Sequence, residues 1–223
     1  MTDRHGGSVM RRILVALVVV ACVSSAFAEE QSSRTFTREF SIPQGNPLEV
    51  GLKVGEMEIQ TADVDMVTVE IRARCRPAGD EKCYRRLEGI QAESVVDESG
   101  SSIRVTGVSK RYHRMEIEAK ITVPESSPLA VKMYAGELRV EGGGQDLEIR
   151  VKYGDVTVHQ PQEATQSVLA DANFGDAQIY ASVGDTNPRR PWLVGSKVTW
   201  DGGEGDATVT VNLSAGEATV HLD

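Results

Sequence analysis

Aromatic residues are scarce in this chain: two Trp, five Tyr and four Phe among 223 positions. Any core must therefore be built mainly from aliphatic side chains. Histidine, at four, and cysteine, at three, are scarcer still. A structural zinc site takes four Cys or His ligands at close spacing, and no such cluster occurs. There is no G-x-S-x-G, no H-E-x-x-H and no phosphate-loop string. That removes the familiar hydrolase, metalloprotease and nucleotide-binding signatures, and no cofactor is expected. No apolar run reaches the roughly 20 residues that span a bilayer. Positive charge is also short, with 24 Lys and Arg against 33 Asp and Glu, a net charge of −9. Nucleic acid is thereby excluded as an expected partner, because phosphate binding needs clustered cations.

The N-terminus carries an export pattern. Arg11 and Arg12 precede the apolar run Ile13 to Ala21, and Ala26-Phe27-Ala28 is followed by Glu29-Glu30. This order of charge, apolar run and small residues is that of a signal peptide, residues 1–28, cleaved after Ala28. Met10 is an alternative start. Val19-Val20-Ala21-Cys22 offers a second processing route, in which Cys22 carries lipid and attaches the chain to a membrane. Cleavage after Ala28 removes three Arg and one Asp, taking the net charge from −9 to −11. Residues 29–37 read as a flexible polar segment and 38–223 as one domain.

Two cysteines then remain, Cys75 and Cys83. In an oxidising compartment such a pair reads as a disulfide. Val67, Val69, Ile71, Ala73 and Cys75 share one face of an alternating strand, which puts Cys75 on the apolar side. Cys83, Leu87 and Ile90 have helical spacing and predict one or two turns. Met115 to Val123 alternates cleanly and stops at Pro124. Residues 66–128 thus form a disulfide-containing, β-rich insertion.

What the chain has in abundance is a repeat. Its copies begin at Leu48, Leu129, Leu147, Val168, Val198 and Val209, each with glycine seven residues on: Gly55, Gly136, Gly154, Gly175, Gly205 and Gly216. Glu or Asp follows every time: Glu56, Glu137, Asp155, Asp176, Asp206 and Glu217. Each copy is an alternating strand, a glycine, an acid and a second alternating strand. The apolar phase changes within a copy. Leu129, Val131 and Met133 occupy odd positions, Leu138 and Val140 even ones. A straight strand would put these sets on opposite faces, so the chain must bend at glycine. Glycine steps of 18, 21, 30 and 11 residues predict stacked coils. The expected fold is all-β, a parallel β-solenoid or β-roll; the alternative is an antiparallel β-sandwich of hairpins.

Ile121-Thr-Val-Pro124, Gly136-Glu-Leu-Arg-Val140, Leu147-Glu-Ile149 and Gly154-Asp-Val-Thr-Val158 resemble the bacterial putative-adhesin domain family of unknown function. The head domain of autotransporter adhesins is similar. The resemblance covers about Phe40 to Leu222. It implies an exported, repetitive all-β fold, and it implies neither an activity nor functional residues. The Cys75–Cys83 loop and the segment Pro188-Arg189-Arg190-Pro191-Trp192 fall outside the family's pattern.

Candidate contacts lie where the repeat is interrupted. Arg72, Arg74, Arg76, Lys82, Arg85 and Arg86 surround the disulfide, and Lys110, Arg111, His113 and Arg114 form a second basic group. Interleaved acids make both read first as solvated strand faces. Arg189, Arg190 and Trp192 lie in the insertion 185–192, where an aromatic residue on a loop suits a partner. Trp200 has strand spacing and reads as core. The acids after the glycines could stack into a calcium-binding ladder, or simply keep the corners soluble. His113, His159 and His221 fall on the polar phase. The expectation is a non-catalytic envelope protein, an adhesin-like binding or scaffold module for an envelope protein or glycan. A regulatory partner protein and a carbohydrate-active solenoid enzyme are the alternatives.

Overall fold

The computed structural model describes residues 33–76, 80–98, 100–108, 114–189 and 194–223. The expected signal segment, 1–28, lies outside them. The described chain folds into one twelve-stranded mixed sheet with a single short α-helix. The elements are β1 (Ser33–Ser41), β2 (Leu48–Ala62), β3 (Met66–Cys75), α1 (Glu81–Leu87), β4 (Gln91–Asp97), β5 (Gly100–Thr106) and β6 (Met115–Pro124). They continue with β7 (Leu129–Glu141), β8 (Leu147–Gln160), β9 (Thr165–Ala181), β10 (Asp185–Arg189), β11 (Ser196–Asp201) and β12 (Ala207–Leu222).

Five long strands, β2, β7, β8, β12 and β9, lie side by side in that order and pair in parallel. Chain length shows that they cannot be straight. A 13-residue strand such as β7 would extend about 43 Å, yet five residues, 142–146, carry the chain back to the start of parallel β8. Five residues reach only about 20 Å. Each strand therefore folds on itself at its central glycine. Leu52 and Met57, Met133 and Leu138, Val151 and Val156, Ala172 and Ala177, and Leu213 and Ala218 are all buried. The members of each pair are five positions apart, an odd offset that a straight strand would put on opposite faces, so the bend restores both halves to the inner side. The result is two walls that meet along a ridge and enclose an aliphatic core. Burying a Leu, Val or Met side chain there stabilises by about 1.5–3 kcal/mol, an Ala methyl less.

The ridge is a column of glycines in register: Gly55, Gly136, Gly154, Gly216 and Gly175. Gly136 and Gly154 sit at φ of 130° and 129°, a region that side chains disfavour. A Cβ on Gly154 would fall 1.8 Å from the carbonyl oxygen of Gly136. Beyond Gly55 the pattern is met by two separate strands. β5 pairs with the first half of β2, and β6 with its second half. The 66–128 insertion thus continues both walls.

Several expectations change. The sheet is not parallel throughout: β1 on β3, β3 on β6, β4 on β5, β11 on β9 and β10 on β11 are antiparallel. Neither a purely parallel solenoid nor a sandwich of hairpins describes it. Coils do not stack strictly in chain order, because β12 inserts between β8 and β9. Paired on both sides, β12 satisfies backbone groups that would otherwise form an edge. Gly205 is not a ridge glycine. It lies in the turn before β12, where a Cβ would fall 2.0 Å from the carbonyl carbon of Ala164. Residues 33–37 are not a flexible tail: β1 begins at Ser33 and pairs along β3 from Ser33–Arg74 to Ser41–Met66.

Candidate functional site

The disulfide and the helix form one unit. Cys75 ends β3, Cys83 lies in α1, their Cα atoms are 6.0 Å apart, and the sulfurs are bonded. Both residues are buried. Asp80 caps the helix N-terminus, accepting from the amides of Lys82 at 3.0 Å and Cys83 at 3.2 Å. Arg114 reaches the same carboxylate at 3.1 Å. Arg114, then the helix amides, hold the Asp80 carboxyl below its ordinary range. Arg34 closes the other end. Its guanidinium donates to the carbonyls of Leu87 and Glu88, each at 2.7 Å, and of Ile90 at 2.9 Å. These carbonyls lie at and just beyond the helix C-terminus, where intrahelical partners run out; that of Leu87 also accepts from the Ile90 amide at 3.2 Å.

Of the expected contact residues, Arg85 and Arg86 are exposed on α1. Arg74 is taken up by Glu118 at 2.5 Å and Glu116 at 3.5 Å, and Arg76 by Glu116 at 2.8 Å. Arg189 ends β10, exposed on the last strand of the sheet. Helix α1 packs near β1 and β3, at the opposite limit of the sheet. The structure therefore does not bring the two candidate regions together. Arg190, Trp192, Lys110, Arg111 and His113 lie outside the described residues. Trp200 is fully buried and donates from Nε1 to the carbonyl of Val183 at 2.9 Å.

The acids after the ridge glycines do stack. Glu56, Glu137, Asp155, Glu217 and Asp176 lie on successive strands, with Glu118 of β6 beside Glu56. Asp206 is outside the column, since Gly205 is. The column borders a groove of about 500 Å³ on the outside of the second wall, together with Lys120 and Arg139. Among the described residues, no three carboxylate, His or Cys groups converge as metal ligands. Farther along this wall His159, His221 and Tyr180 stack across β8, β12 and β9. Their ring centroids are 4.7 and 5.0 Å apart, at 10° and 12°. Both imidazoles lie on the outer phase, as expected.

The first wall carries a feature that the sequence reading passed over. Four residues before the ridge glycine, β5, β2, β7 and β8 present Arg104, Gly51, Lys132 and Arg150 in register. Two residues before it, β2, β7 and β8 present Lys53, Tyr134 and Lys152. A hollow of about 370 Å³ opens over Gly51, bounded by Lys53, Arg104, Lys132, Tyr134 and Arg150. Glu49 binds Lys132 at 2.5 Å and Arg104 at 3.1 Å. The hydrogen bond from Lys132 is the main cause holding the Glu49 carboxyl below its ordinary range. Partial burial opposes it and Arg104 adds to it. Lys152 lies 5.3 Å from the Tyr134 ring centre and 5.4 Å from that of Tyr153. Part of the signal was available: aligning the repeats on glycine matches Lys132 with Arg150 and Lys53 with Lys152, though not Arg104, which lies outside the repeats.

Among solved structures, the chain is similar to a protein from Clostridium sporogenes described as a putative cell adhesion protein. The two share 12% identity at a TM-score of 0.49, over 85% of this chain and 100% of that one. It is also similar to a putative adhesin from Parabacteroides distasonis, with 10% identity and a TM-score of 0.26 over 84% of this chain and 70% of that one. No curated protein matches the sequence. The family pattern described as Toastrack DUF4097 matches residues 31–221, so the chain belongs to the Toastrack DUF4097 family.

Proposed function

We propose that this is a non-catalytic, exported β-repeat protein of the bacterial cell envelope, an adhesin-like module that binds or scaffolds through its walls. The single observation behind this reading is the ladder of five bent parallel strands, which repeats each outer side chain at the strand spacing of about 4.8 Å. A periodic surface of this kind suits a periodic partner. The parallel core is the β-solenoid element of the fold, edged by antiparallel strands. The Cys75–Cys83 bridge and the N-terminal export pattern support an oxidising location outside the cytoplasm. Residues 1–28 act as the signal, with lipidation at Cys22 as the other processing route.

A second reading is a regulatory partner protein. It is favoured by Arg85 and Arg86, exposed on a helix fixed by a disulfide and by Arg34. Capture from envelope extracts tests both, using the full chain, a variant lacking residues 189–192, and a variant with Arg85 and Arg86 changed to Glu. Retention of envelope polymer by all three supports the binding module. Loss of one stoichiometric protein from either variant favours the regulatory reading. Recovery of the chain only from the cytoplasm would sink both.

A further inference from the structure

The Gly51 hollow combines three properties. It is recessed, because Gly51 contributes no side chain between Arg104 and Lys132. A Cβ built there would meet Arg104 Cγ at 3.6 Å and nothing nearer, an ordinary van der Waals contact, so the position accepts a side chain. It is cationic in a chain of net charge −9. Lys53, Arg104, Lys132 and Arg150 line it and Lys152 stands next to them on β8, against three carboxylates, Glu49, Glu93 and Glu148, of which Glu148 is ion-paired with Arg150. Glu49 orients Arg104 and Lys132 toward one another across the hollow. Lys53 is exposed and has no acidic partner among the described residues. It also has an aromatic side: Tyr134 forms one margin, and Tyr153 meets it edge-on at 5.6 Å.

We propose that this hollow is a binding site for an acidic polysaccharide, a linear glycan bearing uronate carboxylates. The inference rests on the reading of the chain as a binding module and gives that module its ligand class. One sugar ring seats over Gly51 with a C–H face against Tyr134. Its carboxylate is met by Lys53 and Lys132, and the next along the polymer by Arg150 and Lys152. Adjacent strands place these cations about 4.8 Å apart, a pitch comparable to one pyranose ring. A polyanion with sparse charge fits better than nucleic acid, whose dense phosphates would meet the acidic remainder of the chain. It also fits better than a second copy docking its acid column here, because a flush column of short carboxylates would leave the recess at Gly51 empty.

The test measures binding of the full chain to polygalacturonate and to its fully methyl-esterified form, by calorimetry at low and physiological salt. Gly51→Glu fills the hollow with a carboxylate at a position that accepts a side chain. Lys53→Glu removes the unpartnered cation, and Arg139→Glu places the same charge change on the other wall. The expected result is saturable binding of polygalacturonate that weakens with salt and disappears on esterification. Affinity should fall about tenfold or more in Gly51→Glu and Lys53→Glu, with little change in Arg139→Glu. No saturable binding, undiminished affinity in Gly51→Glu, or an equal loss in Arg139→Glu would overturn the proposal. So would wild-type self-association in sedimentation that Gly51→Glu abolishes, which would make a second copy the occupant. Envelope polymer still captured by Gly51→Glu would overturn this site while leaving the binding-module reading intact.

Discussion

The carbonyl oxygen of Gly55 lies 1.8 Å from where a Cβ on Gly136 would sit. The same contact recurs up the ridge, from Gly136 to Gly154 and from Gly154 to Gly216, again at 1.8 Å. Each ridge glycine is thus required by its neighbour's backbone as well as by its own φ. Gly136→Ala should destabilise by at least about 3 kcal/mol, from strain at positive φ plus displacement of β2 from β7. Gly51→Ala, whose methyl would meet only ordinary contacts of 3.6 Å or more at an ordinary backbone angle, should be neutral or stabilising by about 0.5 kcal/mol. Urea denaturation of the pair checks the argument. Equal midpoints would show that the ridge tolerates a methyl group.

Arg34 tests whether the N-terminal strand is structural. It donates to three carbonyls at the end of α1, and its guanidinium lies 4.7 Å from the Phe36 ring centre. Arg34→Ala should cost about 1.5–3 kcal/mol, the scale of charge-assisted hydrogen bonds lost from half-buried carbonyls. Arg34→Lys should recover only part: it keeps a charged donor for carbonyls that all share one nitrogen, Nη1, but loses the planar group held over the Phe36 ring. Amide exchange should locate the loss at Leu87–Ile90. Unchanged protection there would reject the capping role.

The disulfide should act mainly by constraining the unfolded chain. It closes a loop of sequence separation 8, for which chain entropy gives about 2–3 kcal/mol. Cys75→Ala with Cys83→Ala should lower stability by that amount. Thiol labelling of unreduced, denatured protein should find no free Cys75 or Cys83, whereas quantitative labelling of both would refute the bridge.

These results mark what the sequence could and could not carry. The bend at Gly136 was legible, because Met133 and Leu138 had to be buried together. So were the aliphatic face of β3, the helix around Cys83 and the core position of Trp200. Gly205 imitated a ridge glycine because local pattern cannot distinguish a bend from a close approach, here to Ala164. The placement of β12 between β8 and β9 was not legible, since register between distant strands leaves no local trace. Arg34 was hidden for the same reason: its acceptors lie more than 50 residues away. Aligning the repeats on glycine already matches Lys132 with Arg150 and Lys53 with Lys152, whereas Arg104, outside the repeats, joins them only through the pairing of β5 with β2.

Acid should weaken the first wall. Lys132 and Arg104 hold the Glu49 carboxyl below its ordinary value. A depressed folded-state value means that the unfolded chain binds the proton more readily. The stabilisation is therefore complete above the unfolded value, about 4.3, and is lost as pH falls through the lower folded one. Asp80 adds in the same direction below its own ordinary value. Tm should fall as pH drops below about 4.3, with a shallower slope in Glu49→Gln. Parallel slopes for wild type and variant would remove Glu49 from the account.

The acid column implies a cost that salt should reveal. Glu137 stands between Glu56 and Asp155 on neighbouring strands, and like charges directly opposite one another in a sheet repel. Asp155 offsets part of this by accepting from the Glu217 amide at 3.2 Å, and Lys120 meets Glu58 at 3.1 Å one step along the strand. Glu137 itself is exposed. Glu137→Gln should therefore stabilise the fold by about 0.2–1 kcal/mol at low salt, a rise of up to about 4 °C in Tm for a domain of this size. The gain should shrink toward zero as the Debye length contracts to about 3 Å at 1 M salt. Asp155→Asn removes the repulsion together with the acceptor of an amide hydrogen bond, so it should gain less than Glu137→Gln. If Glu137→Gln instead destabilises at low salt, the column is held by favourable contacts, and corner acids kept only for solubility would no longer explain it.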